Sequence, residues 1–285
     1  MPKAARVADN HVCPASTGPV PHGGGPIMPP CSLNVRTNNL PQARGTDKAM
    51  CVGPPDFIVT GSGSVRVNSL PAARMSDKCM HGGSIAAGSL NVNIGGPTVG
   101  VTLGNPAAAT AACNGLAGGR TSGSVGQSYN NCGVESSRLI INQTGGGRSE
   151  DGLLDESIRE GDAGSDKGAR RGWGGTSPGD REDILERNGV PTTNRDASLA
   201  NIQQAVAERR GVITSHEVAW LWANGQSGGH AINVIGVQYD QFGNAVNYIT
   251  ADTGLGNCNR SVPAWQFGLS LRPGRDMNVT DSPIW

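Results

Sequence analysis

Aromatic side chains are scarce, with 5 Trp, 3 Tyr and 3 Phe in 285 residues. Phe57 is the one aromatic ahead of Tyr129, and every Trp falls at or after Trp173. The front half therefore cannot assemble a large conventional core, and something other than side-chain bulk must hold it. Net charge is also missing: 23 Lys and Arg offset 23 Asp and Glu. That removes any bulk electrostatic reason to expect nucleic acid or an anionic membrane as partner. No apolar run approaches the roughly 18 residues of a membrane span. No charged-then-apolar pattern of a secretory leader opens the chain, which argues against general export. The 7 cysteines are an odd count without the spacing of a dense disulfide scaffold, so thiols and metal ligands are expected ahead of bridges. Glycine is abundant, at 43 residues, but follows no collagen-like period.

The most informative stretch of the rear half is Gly126 to Gln143, GQSYNNCGVESSRLIINQ. Cys132 closes a polar, turn-prone run (Ser128, Asn130, Asn131) and stands before Val134, Arg138, Leu139, Ile141 and Asn142, which have helical spacing. Gly145 to Gly147 would stop that helix. A thiol at a helix N-terminus feels the positive end of the dipole, which favours the nucleophilic thiolate. The amide of Gln127, five positions earlier, and the backbone N–H of Cys132 could together hold a developing oxyanion. Downstream, Gly228-Gly229-His230 opens an apolar run, a turn follows at Gln241 to Asn244, and a second β-rich run ends at Asp252. Two such runs joined by a short Gly-containing turn predict a hairpin that places His230 beside Asp252. An imidazole held by a carboxylate is the base that activates a thiol.

The order Gln127, Cys132, His230, Asp252 resembles the papain-like cysteine peptidases, most of all their bacteriocin leader-processing branch. In that branch a Gly-His-Ala followed by apolar residues and Gly leads to a strand ending in Asp. The likeness runs from about Ser124 to Asp281; papain itself has Asn at the third position. It implies an α+β papain-like domain with Cys132 as nucleophile, His230 as base, Asp252 as orienter and Gln127 as oxyanion donor. No catalytic cofactor is implied. The same residues also serve deamidases, transglutaminases, acyltransferases and peptidoglycan amidases.

The front is organised by an internal repeat. Ala5 to Asp9, Ala43 to Asp47 and Ala73 to Asp77 share the frame A-R-x-x-D. Ser32 to Arg36, Ser64 to Asn68 and Ser89 to Asn93 alternate with the period of strands. The first two lead into Leu40-Pro41 and Leu70-Pro71, the third into Gly96-Pro97. Three copies of strand, turn and strand predict a pseudo-threefold all-β body. Four positions after each repeat Asp stands Cys13, Cys51 or His81, and His22-Gly23-Gly24 matches His81-Gly82-Gly83. Sulfur and imidazole ligands converging from repeats suit tetrahedral zinc.

This pattern, over about residues 3 to 104, resembles the PAAR-repeat family, the small cone that sharpens the spike of type VI secretion machines. The family's tip zinc would fall on His22, Cys51 and His81, with Cys13 fourth by repeat symmetry; Cys79 and His11 are rivals for that place. The two resemblances together imply a secreted effector made in the bacterial cytoplasm and carried into a target cell, its cytoplasm expected. Its partners would be a spike protein of the VgrG kind, a cognate immunity protein and a protein substrate. A spike tip with an inert, non-enzymatic adaptor behind it is the contrasting reading.

The expected division is 1–104 for the PAAR-like domain, 105–125 for a connector and 126–285 for the peptidase-like domain. Gly104 to Gly126 is rich in Ala, Gly, Ser and Thr without an apolar period, and so predicts a flexible link. Cys113 and Cys258 are read as free, inert thiols. Helices are expected near Asp151 to Arg159, from Pro178 to Arg187 with Ser177 as cap, and over Ser198 to Arg210, with a mobile loop running to Gly175. Val212 to Val218 predicts a strand in which His216 is structural.

Overall fold

The computed structural model describes residues 1–114, 128–164, 175–223, 225–274 and 276–285. Gln127, the connector from 115 to 125 and the loop at 165–174 lie outside the described residues. Two compact units are present: Met1–Leu103 with Gln238–Val246, and Gly104–Val237 with Asn247–Trp285.

The first unit is β-rich and built from strands only two or three residues long. Its repeats close on themselves through backbone bonds. Ala5 N–H donates to the Ala73 carbonyl, Ala73 to Ala43 and Ala43 to Ala5, at 3.0, 2.9 and 2.9 Å. All three alanines are fully buried, so a larger side chain at any of them would have to displace its neighbours. The following Arg and Asp pair in every copy, with Arg6–Asp9, Arg44–Asp47 and Arg74–Asp77 at 2.9, 2.9 and 3.0 Å. Each Asp also accepts the backbone N–H of its Arg, and the residue before it (Ala8, Thr46, Ser76) takes a left-handed turn conformation. One local turn is thus printed three times, and Ile27, Ile58 and Ile85 fill the small core beneath it.

The hairpins Arg36–Thr37/Leu40–Pro41 and Arg66–Val67/Leu70–Pro71 turn through Asn38-Asn39 and Asn68-Ser69 with positive φ at both residues, the signature of a type I′ turn. The alternating Ser-to-Asn segments begin differently from the strand expectation. Ser32, Ser62 and Ser89 are buried, and their hydroxyls accept the N–H of Val35, Val65 and Val92 at 3.0, 3.0 and 2.9 Å. Each segment opens as a serine-anchored turn, and the second copy is in register from Ser62 rather than Ser64.

The second unit is mixed α/β. Its elements are α1 (Pro106–Asn114), α2 (Cys132–Gln143), α3 (Glu150–Glu160), α4 (Pro178–Arg187), β1 (Thr192–Arg195), α5 (Leu199–Ala207), β2 (Arg210–Glu217), α6 (Val218–Leu221), β3 (Gly229–Tyr239), β4 (Ala245–Asp252), β5 (Asn257–Pro263), α7 (Ala264–Ser270) and β6 (Met277–Pro283). Six strands lie in the order β1-β6-β2-β3-β4-β5. α4 begins with a full capping box, Ser177 on the Asp180 N–H and Asp180 on the Ser177 N–H. Val134, Ile140, Leu153, Leu154, Ile184, Leu185 and Ile213 form the core that joins α2, α3 and α4 to the sheet. At about 1.5–3 kcal/mol per buried large side chain, this cluster is the main reason α2 is held.

Two expectations fail here. The stretch read as a connector from Gly104 contains α1, whose Ala109 and Cys113 pack with Leu139, Ile235 and Ala251; alanine's helix propensity supplies the element without an apolar period. Cys113 and Cys258 are not free thiols: they form a disulfide across a separation of 145 residues.

Candidate active site and metal centre

Cys132 is the first residue of α2. The run before it is fixed by one carboxylate: Glu150 on α3 accepts from Ser128 N–H, Ser128 Oγ and Asn131 Nδ2 at 2.7, 2.9 and 3.0 Å. Gly133 has no room for a side chain, because a Cβ would lie 1.9 Å from Thr176 Oγ1 and 3.2 Å from Arg181 Cδ. α2 is buried nearly all round rather than on one face. Its polar residues are paired: Ser136 Oγ donates to the Ala231 carbonyl, and Arg138 grips Glu135. Burial pushes the Glu135 carboxyl up to about 7, against the pull of Arg138.

His230 is the second residue of β3, and Asp252 ends β4, its neighbour in the sheet. Their side chains meet, with His230 Nε2 2.7 Å from Asp252 Oδ1. The other side of the ring engages Cys132, whose sulfur also accepts the Ala231 N–H at 3.3 Å. Burial opposes charge on all three groups, yet their mutual contacts win. The imidazole is raised to about 9 by Asp252 and Cys132. The thiol is held below its ordinary range by His230, the Ala231 N–H and the more distant Arg181. The Asp252 carboxyl is held low by His230, Trp222 and Arg260. The arrangement favours a thiolate–imidazolium pair.

Trp222 donates its indole N–H to Asp252 Oδ2 at 2.8 Å and lies against the His230 ring at 4.9 Å between centroids. Gly254 abuts both rings: a Cβ there would come within 2.7 Å of His230 and 2.8 Å of Trp222. A cleft of about 740 Å³ opens onto Cys132 and His230, walled by Asn130, Trp222, Gln226 and the glycines around Gly228. His216 sits opposite His230 in the β2–β3 register. Both its nitrogens are tied to hydroxyls, Thr214 and Ser270, at 2.8 Å, and burial drives it down to about 3. It is a structural, neutral ring.

Sequence reasoning brought Cys132, His230 and Asp252 together but missed Arg181, Gly254 and Arg260. Trp222 was visible only as bulk before the His230 loop; the others carry no local signal.

In the first unit, Cys13, His22, Cys51 and His81 present ligand atoms that all lie within 4.8 Å of one another. Both sulfurs stand 3.7 Å from His81 Nδ1, close to the roughly 3.6 Å edge expected for sulfur and nitrogen around tetrahedral zinc. His22 Nδ1 is buried without a hydrogen-bond partner, while its Nε2 is held by Thr17 Oγ1 at 2.7 Å. Thr17 belongs to the hairpin Ser16–Thr17/Val20–Pro21 that lies between Cys13 and His22 in the chain, so that hairpin orients a ligand ring from outside. Burial and the neighbouring Cys13 sulfur push the Cys51 thiol up to about 12, a penalty that a divalent cation would remove. The donor set fits a metal ion. Of the rivals, Cys79 lies in the apolar core; His11, with Nδ1 2.9 Å from the Gly25 carbonyl and Nε2 3.3 Å from Asp56, forms a second group of possible ligands with Asp56 and the same Cys51.

The PAAR motif family matches residues 17–87. No curated protein matches the sequence. A solved structure described as a C39-like peptidase from Bacillus anthracis is similar at 14% identity and a TM-score of 0.38, over 53% of this chain and 88% of that one. Among the described residues, no helix is long and apolar enough to cross a membrane.

Proposed function

We propose that this chain is a type VI secretion effector, a zinc-pinned PAAR cone of pseudo-threefold form carrying a papain-like cysteine peptidase. The observation that carries the enzymatic reading is the single ring of His230, bound on one side to Asp252 and on the other to the Cys132 sulfur, at the floor of an open cleft.

The chemistry follows from the geometry. The Cys132 thiolate attacks a substrate amide carbon, forming the S–C bond and pushing charge onto oxygen. The backbone N–H of Cys132 receives that oxyanion, and the sequence offers the amide of Gln127 as the second donor. Collapse breaks the C–N bond, and His230 gives its proton to the leaving amine. Asp252 holds the ring in the tautomer that presents the other nitrogen to sulfur. Water, deprotonated by His230, then opens the thioester, releasing the acid and restoring the thiolate.

For the front unit, zinc on Cys13, His22, Cys51 and His81 would cross-link the repeats at one end. Spike docking is supported by a threefold set of apolar residues: Val35, Val65 and Val92 are 38%, 37% and 37% exposed, with Leu33 and Leu90 at 80% and 89%. Three repeat-equivalent apolar positions suit a partner of threefold symmetry, here a spike protein of the VgrG kind. The destination is the target cell, with an immunity protein guarding the producer.

Mass spectrometry of target-cell proteins after delivery tests the substrate reading. New protein termini that depend on Cys132 are expected. A one-dalton gain at Gln or Asn instead of new termini would replace peptidase by deamidase, and wall fragments would replace it by amidase.

A further inference from the structure

Asp252 is fully buried, and both of its oxygens are engaged. Oδ1 accepts from His230 Nε2 at 2.7 Å and from the Leu255 N–H at 3.3 Å. Oδ2 accepts from Trp222 Nε1 at 2.8 Å and from Arg260 Nη1 at 3.1 Å. A thiolate and an imidazolium cancel, so the carboxylate leaves this site with one buried negative charge. Uncompensated, that charge is expensive. Arg260 is the cation bonded to it.

The second arm of the same guanidinium has a separate task. Arg260 Nη2 donates to the Leu221 carbonyl at 2.7 Å, at the last residue of α6. The next residue is Trp222, the indole that holds Oδ2 and lies on the His230 ring. One rigid fork therefore ties the carboxylate to the segment that presents its other donor, a two-armed geometry open to arginine and not to lysine's point charge. The backbone is arranged for it. Arg260 pairs with Thr250 in the β4–β5 register, and a bulge between Thr250 and Asp252 re-aims Asp252 toward His230.

We propose that Arg260 is a positioning residue of this site: it balances the buried Asp252 charge and locks Asp252 and Trp222 into one arrangement around His230. The proposal rests on the reading of Cys132, His230 and Asp252 as the catalytic set. Other ionisable groups around the ring are Cys132 from α2 and His216 from β2, with Arg181 of α4 acting on the sulfur. None of these bonds Asp252.

The sign of the effect is fixed by charge. Removing a cation beside Asp252 lets the carboxylate hold the imidazolium more tightly and leaves the thiolate less stabilised. Both ionisations then move to higher pH. The experiment is the rate of iodoacetamide alkylation of Cys132 in the full chain, read by mass spectrometry of its peptide, against pH. Arg260→Gln should raise the midpoint of the acid limb by about 0.5–1 pH unit, a loss of up to about tenfold in rate on that limb. Arg260→Lys keeps the charge and should restore the native midpoint, while lowering turnover because the grip on Leu221 is lost. Profiles of Arg260→Gln and the native chain that superimpose would overturn the proposal. If Arg260→Gln does not fold, the Lys variant decides alone: a native midpoint supports charge balance, and a shifted one refutes it. A native chain whose Cys132 titrates as an ordinary thiol would instead refute the catalytic reading beneath it.

Discussion

Cys132→Ala leaves a folded chain whose turnover is lower by about 10⁴–10⁶-fold. The substitution removes one sulfur atom and little packing, since the helix that carries it is held by Val134, Ile140, Ile141 and their partners on α3 and α4. What disappears is the nucleophile, and no neighbouring group can replace it. His216 is neutral and tied to two hydroxyls; farther along α2, Ser136 donates to the Ala231 carbonyl of β3 and Ser137 to the Gly133 carbonyl. His230→Ala should be nearly as damaging, because the thiolate then lacks both its counter-ion and the proton for the leaving amine. The losses should not add in the double variant, as expected of groups acting as a unit. The measurement is killing of target cells and substrate cleavage by native and variant chains, with circular dichroism as the folding control. Equal cleavage by the Ala variant would remove Cys132 from the chemistry.

Removing the metal should have the second large effect, confined to the first unit. Its core is small: one cluster of three isoleucines, three alanines and two cysteines with Val7 packed against them, and a second of Ala4, Val67, Ala72 and Ile94. Structural zinc in small domains supplies an apparent binding free energy of about 10–16 kcal/mol near neutral pH. A chain purified from bacteria is expected to hold zinc in a single site per molecule. Chelation, or Cys51→Ser, should lower the melting transition of this unit by tens of degrees and leave that of the second unit in place. Acid should do the same, because the ligands must shed protons to bind and regain them as pH falls. Cys79→Ser is the control: it cuts into the core without touching the ligand set, so metal content should persist. Identical melting with and without chelator would show that the Cys and His cluster holds nothing.

Local signals made much of this legible. Ser177-Pro178 marked the start of α4, and the A-R-x-x-D frame announced one turn repeated three times. The hairpin from His230 to Asp252 was readable because two β-rich runs flank a short Gly-containing turn, and that hairpin alone brings a base to its orienter. What escaped the sequence is what depends on distant partners. Cys113 and Cys258 are joined across 145 residues, and nothing near either announces the other. α1 was taken for a connector because an Ala-rich helix buried on a small face has no apolar stripe. The register slip from Ser64 to Ser62 arose because both serines precede Val65, and burial of one hydroxyl distinguishes them. Arg260 looks like an ordinary strand arginine until its bonds to Asp252 and to the Leu221 carbonyl are seen.

The pH dependence follows from the directions of the shifts. Activity should rise as Cys132 loses its proton below the ordinary thiol range, and fall as His230 loses its own near pH 9. The stability contributed by the raised imidazole is present at lower pH and lost through that same upper limb; that of the depressed Asp252 is lost on acidification.

The most direct measurement is the ultraviolet thiolate absorbance of the native chain minus that of Cys132→Ser, followed across pH with zinc present. A difference of one thiolate already standing below the ordinary thiol range, and abolished by His230→Ala, is the predicted result. A difference that emerges only in the alkaline range of a free cysteine, whether or not His230 is intact, would contradict the account.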